Sequence, residues 1–103
     1  MNKYESIYIL RPTMEEEAVK AMVERFSNLI TTEGGQVDNI DEWGKRRLAY
    51  PIQDFREGYY VLMKFSASSE LPSELERIYK ITDDVIRYII VRDDERDDER
   101  DDE

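Results

Sequence analysis

The chain reads as an α+β domain whose elements follow one another as βαββαβ, the split β-α-β arrangement, and three observations predict it. Apolar residues recur at three- and four-residue spacing in only two stretches, which therefore read as helices. Four other stretches are rich in β-branched and aromatic residues and end at proline, glycine or acidic turns, as strands do. With 103 residues and no cysteine, the chain has room for one core of two packed layers, built without disulfides.

Tyr4 to Leu10 is the first strand, and Arg11-Pro12 ends it because proline cannot donate to a ladder. Thr13-Met14-Glu15-Glu16 has the spacing of a capping box, with the Thr13 hydroxyl accepting from the third helical N–H and Glu16 reaching back. In the helix that follows, Val19, Met22, Val23, Phe26, Leu29 and Ile30 draw one apolar stripe, and Gly34-Gly35 stops it. Gln36 to Ile52 is a long strand whose alternation changes parity, which predicts a bulge or bend near Gly44. Gln53 to Gly58 reads as a hairpin loop and Tyr59 to Ala67 as the returning strand, with Val61, Met63 and Phe65 on its core face. A second helix is predicted from about Glu70 to Ile81, carrying Leu71, Leu75, Ile78 and Tyr79 inward, with Pro72 tolerated in its first turn. Val85 to Arg92 is the last strand; apolar on both parities, it predicts cover on both faces.

This element order is that of a ferredoxin-like sandwich, a four-stranded antiparallel sheet with two helices on one face. Tyr8, Tyr60, Leu62 and Tyr88 are candidates for the other face, and so much aromatic surface calls for a partner. The domain is expected to span residues 1–92. Residues 93–103, an Asp/Glu/Arg run without an apolar side chain, are predicted to be a disordered acidic tail.

The net charge of −10 is concentrated in that tail, which carries −7 and leaves −3 on residues 1–92. A body so weakly acidic has few cations with which to release counterions from nucleic acid, so RNA binding by the chain alone should be weak. Histidine is absent as well as cysteine, which removes the usual general base, thiolate nucleophile and transition-metal ligands. The expectation is no enzyme, no cofactor, no metal and no small-molecule substrate. No apolar run reaches signal-peptide or bilayer-spanning length, so a soluble, cytoplasmic protein without membrane contact is expected.

Against this background, Lys45-Arg46-Arg47 with Asp41, Glu42 and Tyr50 forms a dense mixed-charge cluster. It fits a docking edge, in which Arg forks grip carboxylates or phosphates and the ring adds contact area, and equally a strand edge charged against aggregation. Gly58-Tyr59-Tyr60-Val61 to Phe65 superficially matches the aromatic strand of RNA-recognition modules, but Glu57 replaces the cation and the ring spacing is one residue short. Core packing is the better account of those rings. Arg87, Tyr88 and Arg92, with Lys3 and Tyr4 from the neighbouring first strand, are placed to grip an RNA backbone or to be ordinary surface charges. The acidic tail lacks the glycine bend of a calcium loop and reads as a solvated run.

Gly44-Lys45-Arg46-Arg47-Leu48-Ala49-Tyr50-Pro51-Ile52 resembles the signature of the sixth protein of the bacterial small ribosomal subunit, the ribosomal S-six family. Tyr4-Glu5, Arg11-Pro12, Gly58-Tyr59 and Asp84-Val85-Ile86-Arg87 extend the resemblance over residues 1–92. It implies a ferredoxin-like protein that binds the central domain of 16S ribosomal RNA as a heterodimer with ribosomal protein S-eighteen. By position it implies Glu42, Arg46, Arg47 and Tyr50 as partner contacts, and Lys3, Tyr4, Arg87 and Arg92 as RNA contacts. Two other classes compete: a free-standing regulatory RNA-binding module using Tyr59 or Tyr60, and an acylphosphatase-like enzyme. The latter would need a glycine-bearing phosphate loop where Arg11-Pro12-Thr13 stands.

Overall fold

The computed structural model describes residues 1–93. Its elements are β1 (Asn2–Leu10), α1 (Glu16–Thr32), β2 (Gln36–Ile52), β3 (Phe55–Ala67), α2 (Leu71–Ile81) and β4 (Val85–Arg92). The sheet is antiparallel in the order β2-β3-β1-β4, so β2 and β4 are its edges, and the ferredoxin-like fold is the one observed.

Alternation sorts the side chains of each strand between two faces. Tyr4, Tyr8 and Leu10 of β1 and Val61, Met63 and Phe65 of β3 meet Val19, Val23, Phe26 and Ile30 of α1 and Leu71, Leu75 and Tyr79 of α2 in one buried core. Tyr8 lies at its centre, its ring 4.8 Å from Phe26 and 5.4 Å from Tyr79. Ser6 is buried on the same face because its hydroxyl meets that of Tyr79 at 2.6 Å. On the opposite face a smaller cluster joins Ile9, Leu48 and Ile86, with Tyr60, Ile52 and Phe55 packed against it.

The end of α1 follows the glycine rule. Gly34 takes φ +90°, the Gly34 N–H donates to the Thr31 carbonyl, and Gly35 N–H donates to that of Ile30 at 2.8 Å, closing a Schellman motif. Its beginning does not follow the capping box: α1 starts at Glu16, Glu15 is the N-cap without a side-chain bond, and the Thr13 hydroxyl accepts from Arg11 Nη1 at 2.7 Å instead. Arg11 is held there by Asp84, whose carboxylate accepts from Nε, so the residues between Arg11 and Glu15 serve the β1–β4 connection before the helix begins.

Three further expectations are corrected. The hairpin between β2 and β3 turns on Gln53 and Asp54 alone, both at positive φ (52° and 71°), so the ladder resumes at Ile52–Phe55 and the predicted loop to Gly58 is mostly strand. Two left-handed residues match the right-handed twist of the strands, which is why so short a turn suffices. Tyr8 and Tyr88 face the helices and not the open side, since Ser6 belongs to the core face and fixes the parity of β1; Tyr60 and Leu62 do lie opposite. β4 is an edge strand whose open face is covered only at Ile86, and Ile89 and Val91 remain 55% and 46% exposed. The acidic tail predicted for residues 93–103 falls outside the described residues beyond Asp93, whose backbone N–H donates to the Lys3 carbonyl at 2.8 Å.

Candidate interaction surface

The face of the sheet without helices brings together some of the candidate residues, Arg46, Tyr50 and Arg87, toward the end where β2 and β3 run past β1. β2 shifts register against β3 between Glu42 and Gly44, and Gly44 adopts φ +85° with open space where a Cβ would stand. This bulge turns Trp43 onto the open face, stacked on Tyr60 with centroids 6.2 Å apart and planes within 18°. The indole N–H donates to Asp41 at 3.1 Å, and the Arg46 guanidinium lies over the Trp43 ring at 5.9 Å. Trp43 is thus half-buried in a surface stack, outside the main core. A stacked guanidinium is attracted by the ring quadrupole and loses side-chain freedom before any partner arrives.

A second register break lies between Arg47, paired with Glu57, and Ile52, paired with Phe55. In the residues between, Leu48 is buried against Ile9 and Ile86, and Tyr50 crosses the open face toward β4. The Tyr50 hydroxyl accepts from Arg87 Nη1 at 2.5 Å, and the Arg87 guanidinium lies 5.8 Å from the Tyr50 ring centre. These side chains border a hollow of about 250 Å³ floored by Ile9, Leu48 and Tyr60.

The expected partner residues therefore share one strand but not one environment. Glu42 points to the helix side and accepts from the Tyr59 hydroxyl at 2.7 Å. Burial, then that hydrogen bond, pushes the Tyr59 phenol up to about 12. Arg46 stands on Trp43, Arg47 is exposed beside Pro12 and Asp54 to Glu57, and Tyr50 is 56% exposed. Of the expected RNA residues, Lys3 and Arg92 lie at one end of the β1–β4 pair, where Arg92 also donates to the Asn2 side chain at 2.8 Å. Arg87 lies at the other end, opposite Ile9. Tyr4 is only 7% exposed, stacked on Phe65 at 5.4 Å, so its ring is committed to the core and not presented to a ligand.

Sequence reasoning separated Tyr50 from Arg87, which the fold brings together across 37 positions, and it left Trp43 without a role. A signal for the first existed in Pro51, which fixes the backbone around an aromatic residue; nothing local marks its ionic partner. Among the described residues no three His, Cys, Asp or Glu side chains converge on a metal position. Among the same residues no helix is long and apolar enough to cross a membrane.

Residues 3–92 match the family described as Ribosomal protein S6. The chain belongs to that family. Small ribosomal subunit protein bS6 of Caldanaerobacter subterraneus subsp. tengcongensis is 56% identical over 95 residues, covering 92% of this chain and 100% of that one. The bS6 protein of Clostridium novyi is 54% identical over 88% of this chain and 96% of its own length. The crystal structure of 30S ribosomal protein S6 from Thermotoga maritima superimposes with a TM-score of 0.85 at 34% identity, covering 88% of this chain and 86% of that one. The S6 family is a structural, non-enzymatic component of the ribosome, which removes the acylphosphatase-like alternative.

Proposed function

We propose that this S6 chain is a structural constituent of the small ribosomal subunit that binds the central domain of 16S ribosomal RNA jointly with ribosomal protein S-eighteen. Family membership supports the ribosomal role. Joint binding is supported above all by one observation: Tyr50 of the mixed-charge strand β2 touches Arg87 of β4, so one candidate partner contact and one candidate RNA contact adjoin on the uncovered face. Charge points the same way, because a body of net −3 needs a basic partner to supply most phosphate contacts.

In this reading Arg46, Arg47, Tyr50 and Glu42 form the partner edge, while Lys3, Arg87 and Arg92 contact phosphates. Tyr4, buried against Phe65, is left out of the RNA set. Reversing the charge of Arg46 and Arg47 together (R46E/R47E) should weaken affinity for S-eighteen by about tenfold or more, since the partner carboxylates that the two Arg forks would grip then face like charges. RNA affinity should fall only when S-eighteen is the route to it. Isothermal titration of the variant with S-eighteen measures this, and an unchanged affinity removes β2 from the interface.

A further inference from the structure

We infer that Tyr50 is a positioning residue for Arg87: its hydroxyl and ring hold the guanidinium out over the open face in the orientation that receives an RNA phosphate. The inference rests on the proposal that Arg87 contacts phosphate, and it adds how that contact is prepared and why it depends on the β2 segment.

Three features make Tyr50 a fixed support. Leu48, two residues before it, is buried against Ile9 and Ile86 and ties this segment of β2 to the sheet. Pro51, directly after it, confines the Tyr50 backbone to the extended region. The ring is 56% exposed, yet its hydroxyl is placed on Arg87 Nη1 at 2.5 Å, with the guanidinium carbon 5.8 Å from the ring centre. A tyrosine has only two side-chain torsions to lose, so a rigid backbone gives a rigid ring.

Arg87 has the opposite character. On its own it would be a long exposed side chain of an edge strand, with the rotamer entropy that this implies. Accepting one of its five N–H groups leaves four, enough for the forked, two-bond grip on phosphate oxygens that distinguishes arginine from lysine. Because Tyr50 uses the donor without neutralising the charge, the phosphate attraction survives while part of the ordering cost is met before RNA arrives. Immobilising such a side chain beforehand is worth about a three- to tenfold gain in affinity. Among the described residues, Arg87 makes its side-chain hydrogen bond and ring contact with Tyr50, whose hydroxyl and ring carry no charge to compete with phosphate.

The geometry also joins the two binding events. A partner that covers the exposed Tyr50 ring stiffens the support of Arg87, and tight RNA binding then becomes conditional on that partner without any change of fold.

The test is a double-mutant cycle on the complex with S-eighteen in saturating excess, titrated with labelled central-domain RNA. Tyr50→Phe keeps the ring and removes the hydroxyl; Arg87→Gln removes the charge. Expected is about a three- to tenfold loss of RNA affinity for Y50F, a larger loss for R87Q, and no further loss when Y50F is added to R87Q. The unfolding temperature should be unchanged in Y50F, which a merely structural role would not allow, and saturating S-eighteen keeps any change in partner affinity out of the RNA titration. An additive Y50F penalty in the R87Q background overturns the positioning role and leaves the RNA reading intact. An R87Q variant that binds RNA as well as the parent removes Arg87 from the RNA contact, and the inference with it.

Discussion

Two tyrosines whose rings meet in the core have hydroxyls with opposite fates. That of Tyr79 is satisfied by Ser6 at 2.6 Å, whereas that of Tyr8, on a fully buried residue, has no hydrogen-bond partner among the described residues. A buried hydroxyl without a partner costs about 1–3 kcal/mol of desolvation. Tyr8→Phe should therefore stabilise the domain by about 1 kcal/mol, which for a domain of this size raises the unfolding temperature by about 4–8 °C. The same side chain governs behaviour at high pH. Burial first, then the neighbouring Tyr79 and the charge of Glu42, pushes the Tyr8 phenol far above its ordinary value near 10, and burial does the same to Tyr79. Unfolded tyrosines release their protons from about pH 10 while the folded ones keep theirs, so the folded chain binds more protons there and stability falls as pH rises. Each buried phenol contributes a slope of up to about 1.4 kcal/mol per pH unit above that point. Thermal melts from about pH 8 to about pH 11.5 should show the decline in the parent and a shallower one in Tyr8→Phe.

At the scale of elements, the bulge in β2 decides what the open face displays. Gly44 sits at φ +85° with open space where a methyl would go, so a substitution there meets backbone strain and no clash. Gly44→Ala should cost about 1–2 kcal/mol of stability, with Gly44→Asn milder because asparagine tolerates the left-handed region. Chemical denaturation of both variants, read with the fluorescence of the single Trp43 stacked on Tyr60, checks the order. This bulge was legible as a break in alternation at a glycine, and so were the order of the elements and the full span of β2 and β4. Local chemistry misled where tertiary contacts overrode it. Thr13 has a cap's spacing but its hydroxyl is taken by Arg11, which Asp84 anchors from 73 positions away. The Gln53-Asp54 turn lacks the glycine that advertises a two-residue hairpin, and a core serine disguised which face of β1 carries Tyr8. Apolar residues on both parities of β4 described its exposed Ile89 and Val91 as well as they would have described cover.

For the whole molecule, the arrangement is asymmetric: two helices cover one side of the sheet, and rings, cations and exposed aliphatic side chains occupy the other. Arg46, Arg47 and Tyr50 stood out as candidates because the Gly44–Ile52 segment is so distinctive, but which residues meet did not. The reason is that β2 and β4 are opposite edges of the sheet, and Tyr50 reaches Arg87 only by crossing the open face after a register break, with Arg92 at the far end of β4. A body of net −3 with few cations to spare binds a polyanion weakly, and in the proposed reading a basic partner on its open face supplies the missing phosphate contacts. The most direct test of joint binding is a titration of labelled central-domain 16S RNA with this chain, with and without S-eighteen, at fixed physiological salt. Joint binding predicts weak, unsaturated binding by the chain alone and tight, saturable binding when S-eighteen is present; tight, saturable binding by the chain alone contradicts it.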